Sequence, residues 1–215
     1  MQISYLRTLL GLVGMISLGF PGVVRSQNKT ESLSSQNEAP KSATKNLVNQ
    51  TLSGTLYTNG ATRFTLTVPE GWKANDNLVE PRFGVGALTA PDGEANIMIQ
   101  LMLSTDSPKA FARKIDAQGN SLFSGYKKIS ESKVNVAGKE CEILTLKYID
   151  HRTVTGVAVE MPMVSRLVLV PQEYGFLVFN FVTLESLFDK KLPTFDKIIS
   201  SYRSTASDGS TTKQN

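Results

Sequence analysis

The run Tyr174 to Val182, YGFLVFNFV, is apolar at almost every position. Successive side chains of a strand point to opposite sides of its sheet. A strand apolar on both sides is stable only where both faces of the sheet are covered. The chain must therefore provide two layers of cover. That demand limits it to a sheet packed between other elements.

The remaining pattern supplies strands in hairpin order. Phe64, Leu66 and Val68 alternate with Arg63, Thr65 and Thr67, which predicts a strand with one buried face. Asn59-Gly60 precedes it, after Leu56 and Tyr57, and suits a tight hairpin turn. Pro69-Glu70-Gly71 ends it. A polar loop then runs to Arg82. Val85–Thr89 is a short strand, Pro91-Asp92-Gly93 a turn, and Ala95, Ile97, Ile99, Leu101 and Leu103 share one face of the next strand. Ser107 is a helix N-cap with Pro108 at the first helical position. Phe111, Ala112 and Ile115 then share a face, and Gly119 is the expected stop. Tyr126–Val136 is a polar strand expected at an edge or half exposed. Ala137-Gly138-Lys139 turns into Glu140–Ile149, where Leu144, Leu146 and Tyr148 line one side. Val157–Val170 is long and apolar, and Pro162 should bulge it or mark an edge. Pro171-Gln172-Glu173 is the next turn. The last helix should begin near Pro193-Thr194, with Phe195, Ile198, Ile199 and Tyr202 forming one stripe. The expected fold is an α/β (α+β) sandwich: a mainly antiparallel central sheet with helices on both faces.

Both ends differ from this middle. Arg7, the apolar run Leu9–Phe20, the break at Pro21-Gly22 and the Val24-Arg25-Ser26 sequence have the layout of a secretory signal peptide, residues 1–26. An uncleaved anchor is the alternative, but the uncharged stretch Leu9–Val24 is short for a span and contains Pro21. No cysteine follows the run, which excludes a lipid anchor at that point. Residues 27–50 are rich in Ser, Asn and Gln and are expected to form a flexible linker. Two Asn-x-Thr sequons, at Asn28 and Asn49, fall in or beside it. One domain spans 51–203, and 204–215 should be a disordered tail. The protein is thus expected to be extracytoplasmic: periplasmic, thylakoid-lumenal or secreted, according to host. Cys141 is the only cysteine. No intramolecular disulfide can form, so the domain depends on its core. Losing Arg7 and Arg25 with residues 1–26 leaves 21 basic and 19 acidic side chains, a net +2. That balance is too weak to indicate nucleic acid.

The opening strand RFTLTVPEGW (Arg63–Trp72), the PDG hairpin (Pro91–Gly93) leading into ANIMIQ, and the closing FDKIISSYR (Phe195–Arg203) resemble the PsbP-like superfamily. That superfamily includes the extrinsic PsbP protein of photosystem II, the periplasmic DcrB proteins and the Ran-binding Mog protein. The resemblance covers nearly all of 51–203. It implies a non-enzymatic accessory, assembly or binding protein. It assigns no ligand or partner residue to a position here, and the missing lipid-anchoring cysteine departs from many bacterial members.

Chemistry-bearing residues are few. A Ser–His or Cys–His pair would have to use His151, the only histidine, which is expected in a turn between two strands. Cys141 lies in an alternating strand with Ile143 on its face and reads as a buried, inert thiol. Zinc needs several His or Cys ligands, and calcium an acidic spacing that does not occur. Gly84-Val85-Gly86 lacks the third glycine and the helix of a dinucleotide loop. Glu140 and Glu142 share one strand face rather than two sides of a cleft. Trp72, beside the loop Asn75–Glu80, is either a binding anchor or, in the plainer reading, core. Lys127-Lys128 and Lys190-Lys191 read as solvated pairs. No catalytic residue, metal or cofactor is assigned, and binding residues are unknown. The expectation is an exported module that recognises an envelope or photosynthetic lumenal protein by its surface, without nucleic acid or a stable membrane span. A small-ligand carrier and an exported hydrolase are the alternatives.

Overall fold

The computed structural model describes residues 53–60, 62–75 and 84–205. The signal segment, the linker, part of the loop before Arg82 and residues 206–215 lie outside the described residues. Among the described residues, ten strands form two antiparallel sheets. The small sheet has the order β1-β2-β10, from β1 (Gly54–Asn59), β2 (Phe64–Pro69) and β10 (Arg203–Ser204). The large sheet has the order β3-β4-β5-β9-β8-β7-β6. Its strands are β3 (Lys73–Asn75), β4 (Gly84–Thr89), β5 (Ala95–Leu103), β6 (Ser124–Val136), β7 (Lys139–Val154), β8 (Val157–Gln172) and β9 (Gly175–Leu184). Helix α1 (Pro108–Leu122) separates β5 from β6, and α2 (Phe188–Ser200) follows a 3-10 turn at Glu185–Leu187. Among the described residues no helix is long and apolar enough to cross a membrane.

β9 is central, between β5 and β8, and its alternate side chains feed two cores. Leu177, Phe179 and Phe181 join a cluster with Phe64, Leu66 and Val68 of β2 and Phe195, Ile198 and Ile199 of α2. Phe176 and Val178 join a second cluster with Phe111, Ala112 and Ile115 of α1 and Leu144, Leu146 and Tyr148 of β7. The alternation in β2 is realised as expected, with Phe64, Leu66 and Val68 buried. The N-cap is realised too: Ser107 Oγ accepts the Ala110 N–H at 3.2 Å. The polar strand β6 is an edge, paired only with β7.

Several boundaries differ from the sequence reading. Asn59-Gly60 does not form a two-residue turn, because Asn59 pairs with Phe64, which leaves a connection four residues long between the strands. The Asn59 carboxamide caps that loop by accepting from the Thr62 N–H and hydroxyl. Leu101 and Leu103 do not continue the buried face of β5. Met98, Gln100 and Met102 are buried on the other side, while Leu103 is 75% exposed. Gly119 does not stop α1. It lies inside the helix because the Tyr126 ring crosses it, so that a Cβ there would stand 2.3 Å from ring carbons. The Tyr126 hydroxyl then reaches Asp116 Oδ1 at 2.8 Å. Pro162 makes no bulge, since the β7–β8 pairing runs through it in register with Ile149. It does sit where β8 becomes an edge, one residue past the last β9 partner. The β8–β9 turn is Glu173-Tyr174, two residues later than expected from Pro171. α2 begins at Phe188, not Pro193, and carries Pro193 on its exposed side.

Candidate functional site

Each residue singled out from the sequence has a definite place. Cys141 is fully buried in the β2–α2 core, and burial pushes its thiol up to about 11. At neutral pH it is a thiol, not a thiolate, and a thiol is a poor nucleophile. His151 is not in a turn. β7 continues through it to Val154, and its half-exposed ring lies 3.6 Å from Glu160 across the ladder. Asp150, its acidic neighbour in sequence, turns its carboxylate to Arg152 at 2.6 Å instead of orienting the ring. Cys141 and His151 are on the same strand ten residues apart, about 33 Å at strand rise, so no Cys–His pair forms. Glu140 and Glu142 share one face, as expected, and both approach Lys133, at 2.5 and 3.8 Å. Gly84-Val85-Gly86 is a register irregularity in β4, not a phosphate loop. Trp72 is partly buried against the β2–α2 core. Among the described residues no three His, Cys, Asp or Glu side chains are grouped to hold a metal.

Two lysines depart from a solvated role. Lys191 is 15% exposed and bonds Asp92, with Glu94 at 3.5 Å, pinning α2 to the β4–β5 turn. Lys128 bridges Asp116 of α1 at 2.5 Å and Glu131 at 3.3 Å. These pairs are partly exposed, and each contributes less than about 1 kcal/mol.

An open concavity of the domain lies elsewhere. Where β5 ends, Leu103 lies opposite Gly175, and the chain passes through Ser104–Asp106 into α1. The β8–β9 turn stands beside it. Together they enclose an open groove of about 1050 Å³, lined by Leu103, Pro108, Pro171, Tyr174 and Phe176, with Asp106, Gln172 and Glu173 among its polar groups. Leu103 and Tyr174 are 75% and 70% exposed. Phe176 is buried beneath, its ring 5.2 Å from that of Phe111. The polar rim is ordered by local bonds. Asp106 takes Lys114 Nζ at 2.7 and 2.9 Å, and that bond is the first cause holding its carboxyl below the usual range. Glu173 accepts from Tyr174, which raises the phenol. Such a groove offers apolar and aromatic contact beside carboxylates already engaged locally, Asp106 by Lys114 and Glu173 by Tyr174. Sequence reasoning misses it because simple alternation places Leu103 on a buried face and Tyr174 inside a strand. The usable signal is Gly175, a glycine at the start of an otherwise bulky run.

Burial also sets an alkaline limit. The Cys141 thiol and the Tyr126 and Tyr148 phenols all have raised pKa, with burial the first cause in each. Their folded pKa exceeds the unfolded value, so the stability they contribute is present below the unfolded pKa of about 9 to 10. It is lost as pH rises through that range toward 11 and above. Urea midpoints should therefore hold steady from pH 7 to about 8.5 and fall progressively above pH 9. A midpoint that rises with pH above 9 would contradict this account.

No family model matches the sequence, and no curated protein matches it. Solved structures do match by shape. The solution structure of cyanobacterial PsbP, CyanoP, from Synechocystis sp. PCC 6803 has a TM-score of 0.51 at 13% identity, covering 73% of this chain and 95% of that one. The fold is PsbP-like. The Ran-binding protein Mog1p of Saccharomyces cerevisiae has a TM-score of 0.50 at 9% identity, covering 72% of this chain and 97% of the other. The PsbP-like assignment agrees with the resemblance carried by Arg63–Trp72 and Phe195–Arg203. At these identities the likeness concerns the fold alone.

Proposed function

We propose that this chain is an exported, non-catalytic module of PsbP-like fold, with its sheet covered by helices on both faces, that recognises an envelope or lumenal protein partner through the Leu103–Tyr174 groove. The observation that carries the proposal is the pair of large apolar side chains, Leu103 and Tyr174, both largely exposed and both lining one groove. Isolated exposed apolar residues are ordinary, but a grouped set around a concavity marks a binding surface. Tyr is enriched among residues that dominate binding energy. Mog1p, a protein of like shape, is a Ran-binding protein, which supports a protein-recognition role without naming the partner. The signal-peptide pattern of residues 1–26 supports export, and the Ser-, Asn- and Gln-rich composition of 27–50 supports a linker there.

The test is affinity capture from the native host, with N-terminal sequencing of the recovered bait, which should begin near Gln27. Tyr174→Ala and Leu103→Asp should each lower affinity for the captured partner by tenfold or more, as expected for losing about 1.4 kcal/mol at a binding hot spot. Melting temperatures should stay near wild type, because both side chains are solvent-facing. Full retention of binding in both variants would place the partner surface elsewhere. Loss of the cellular phenotype in a folded His151→Ala or Cys141→Ser protein would favour the hydrolase alternative instead.

A further inference from the structure

The β7–β8 ribbon outruns its neighbours. β6 pairs with β7 only as far as Ile149, opposite Ser124, and β9 pairs with β8 only as far as Met163, opposite Leu184. Val157–Met161 of β8 still pairs with Val154–Asp150 of β7, in register and without a bulge. Along Val157–Met161, the side of β8 away from β7 has no strand beside it among the described residues.

The direction of the backbone groups on that edge follows from the two turns. Thr155-Gly156 joins Val154 to Val157, with φ of 51° and 84°, and Glu173-Tyr174 joins Gln172 to Gly175. The residues flanking a two-residue hairpin turn form a hydrogen-bonded pair. Val157 therefore turns its N–H and C=O toward β7, and Gln172 turns its own toward β9. Both ladders run through β8 without a shift, so alternation carries this along the strand: odd residues bond β7 and even residues bond β9. Ala158 and Glu160 are even, and β9 has already ended. Their N–H and C=O groups face outward. Pro162 is even as well, so its missing donor falls on the β9 side and costs the β7 ladder nothing.

We propose that this edge pairs with the same edge of a second copy of the chain, antiparallel, about a two-fold axis at Val159. The sequence of the edge, Val157-Ala158-Val159-Glu160-Met161, is self-complementary in that register. Ala158 and Glu160 form a hydrogen-bonded pair with Glu160 and Ala158 of the second copy. On one face Val159 meets its own equivalent and Val157 meets Met161, joining β-branched and apolar side chains across the strands. Val157 is 61% exposed and Val159 36%, so this face has apolar area left to bury. Each Glu160 lies opposite an alanine, so no like charges oppose. Other axes are worse. An axis at Glu160 sets two carboxylates against each other, and one at Ala158 puts Met161 opposite Thr155 in the turn. Exposed edges are usually blunted by Lys, Pro or a bulge. Residues 157–161 contain none of these. The pairing is isologous and closes at two copies. It involves neither Leu103 nor Tyr174 and stands independently of the groove.

The purified protein, followed by sedimentation equilibrium over a concentration series, should rise in mass toward twice the monomer. Ala158→Pro removes an outward donor while sparing the β7 ladder, as Pro162 already does, and should hold the mass at the monomer value. Its circular dichroism and melting should match wild type. Val159→Cys adds a thiol at a non-hydrogen-bonded site facing its equivalent, about 4.5 Å apart between Cα atoms and within disulfide reach. Under a mild added oxidant, which takes up the two electrons, it should cross-link at least tenfold faster than Val157→Cys, whose opposite residue is Met161. Cys141 does not compete, since it is buried and protonated. A wild-type mass fixed at the monomer overturns the proposal. So does equal cross-linking of the two cysteine variants. If Ala158→Pro fails to fold, the cysteine comparison decides alone.

Discussion

Gly175→Ala should leave the protein largely unfolded under conditions where the wild type is fully native. Gly175 opens β9 at φ 131°, a backbone region that L side chains rarely adopt. The space is also taken. A Cβ at this position would lie 1.9 Å from the Met102 carbonyl oxygen and 2.9 Å from the Ser104 nitrogen. Both are backbone atoms of the adjoining β5 end, so no side-chain rotation relieves the contact. Gly119 shows the contrast. There the obstacle is the Tyr126 ring, a side chain that has to shift, and the roughly 1 kcal/mol a helix interior gains from Gly to Ala offsets part of that cost. At Gly175 the only escape is to part β5 from β9, breaking the pairs Leu103–Gly175 and Met102–Phe176. Backbone strain together with lost pairing belongs among substitutions costing more than about 4 kcal/mol. A domain of this size has about 5–15 kcal/mol in all. Urea unfolding followed by circular dichroism should show a greatly lowered midpoint or no native baseline. A shift below about 1 kcal/mol would mean that the β5–β9 junction is looser than described.

The elements legible in the sequence are those whose pattern has a single physical solution. The two-sided apolar run of β9 requires a central, doubly covered strand. The alternation at Phe64, Leu66 and Val68 requires a strand with one buried face. Ser107-Pro108 fixes a helix start because both the capping hydroxyl and the missing donor favour the same position. The boundaries that differ are places where tertiary contact overrides a local signal. Gly119 looks like a helix stop until Tyr126 is laid across it. Pro193 looks like a helix start until the preceding 3-10 turn carries the chain into α2 from Phe188. Pro162 marks an edge, but only the lengths of β6 and β9 show where that edge begins. His151 reads as a turn residue because Asp150-His151-Arg152 is polar, yet the ribbon continues as a projecting pair of strands that needs no buried face.

The candidate site is less legible than the fold. The groove is assembled from the end of β5, the start of α1 and the β8–β9 turn, three segments far apart in sequence. None has a motif, because apolar recognition needs shape rather than a fixed set of ligating atoms. What the sequence does permit is elimination. With one histidine and one cysteine, a Cys–His pair has to use these two residues, and the structure places them far apart on one strand, one in the core and one facing solvent.

Phe64→Ala should produce the largest loss among simple core truncations of the β2–α2 side. Phe64 is fully buried and stands between the two sheets. Its ring is 6.0 Å from Tyr57, 6.1 Å edge-on from Phe179 of the central strand and 5.9 Å stacked on Tyr202 beyond α2. One side chain thus ties the small sheet, the large sheet and the C-terminal segment. Truncating a buried Phe costs about 3–5 kcal/mol, from transfer and cavity terms together. The upper part of that range applies, because β2 is the middle strand of its sheet and cannot collapse inward without moving both β1 and β10. For a domain of this length each kcal/mol lowers Tm by about 2–4 °C, so calorimetry should find a drop of roughly 8–20 °C. Phe64→Leu, which keeps most of the volume, should cost much less. A fall of only a few degrees for the alanine variant would show that the small sheet is not part of the cooperative core. The groove lies over the other core, against Phe176, so the fraction of Phe64→Ala protein that remains folded should bind the partner proposed for the groove with wild-type affinity. Loss of binding in proportion to unfolding, and no further, separates the residues that hold this domain together from those that give it a function.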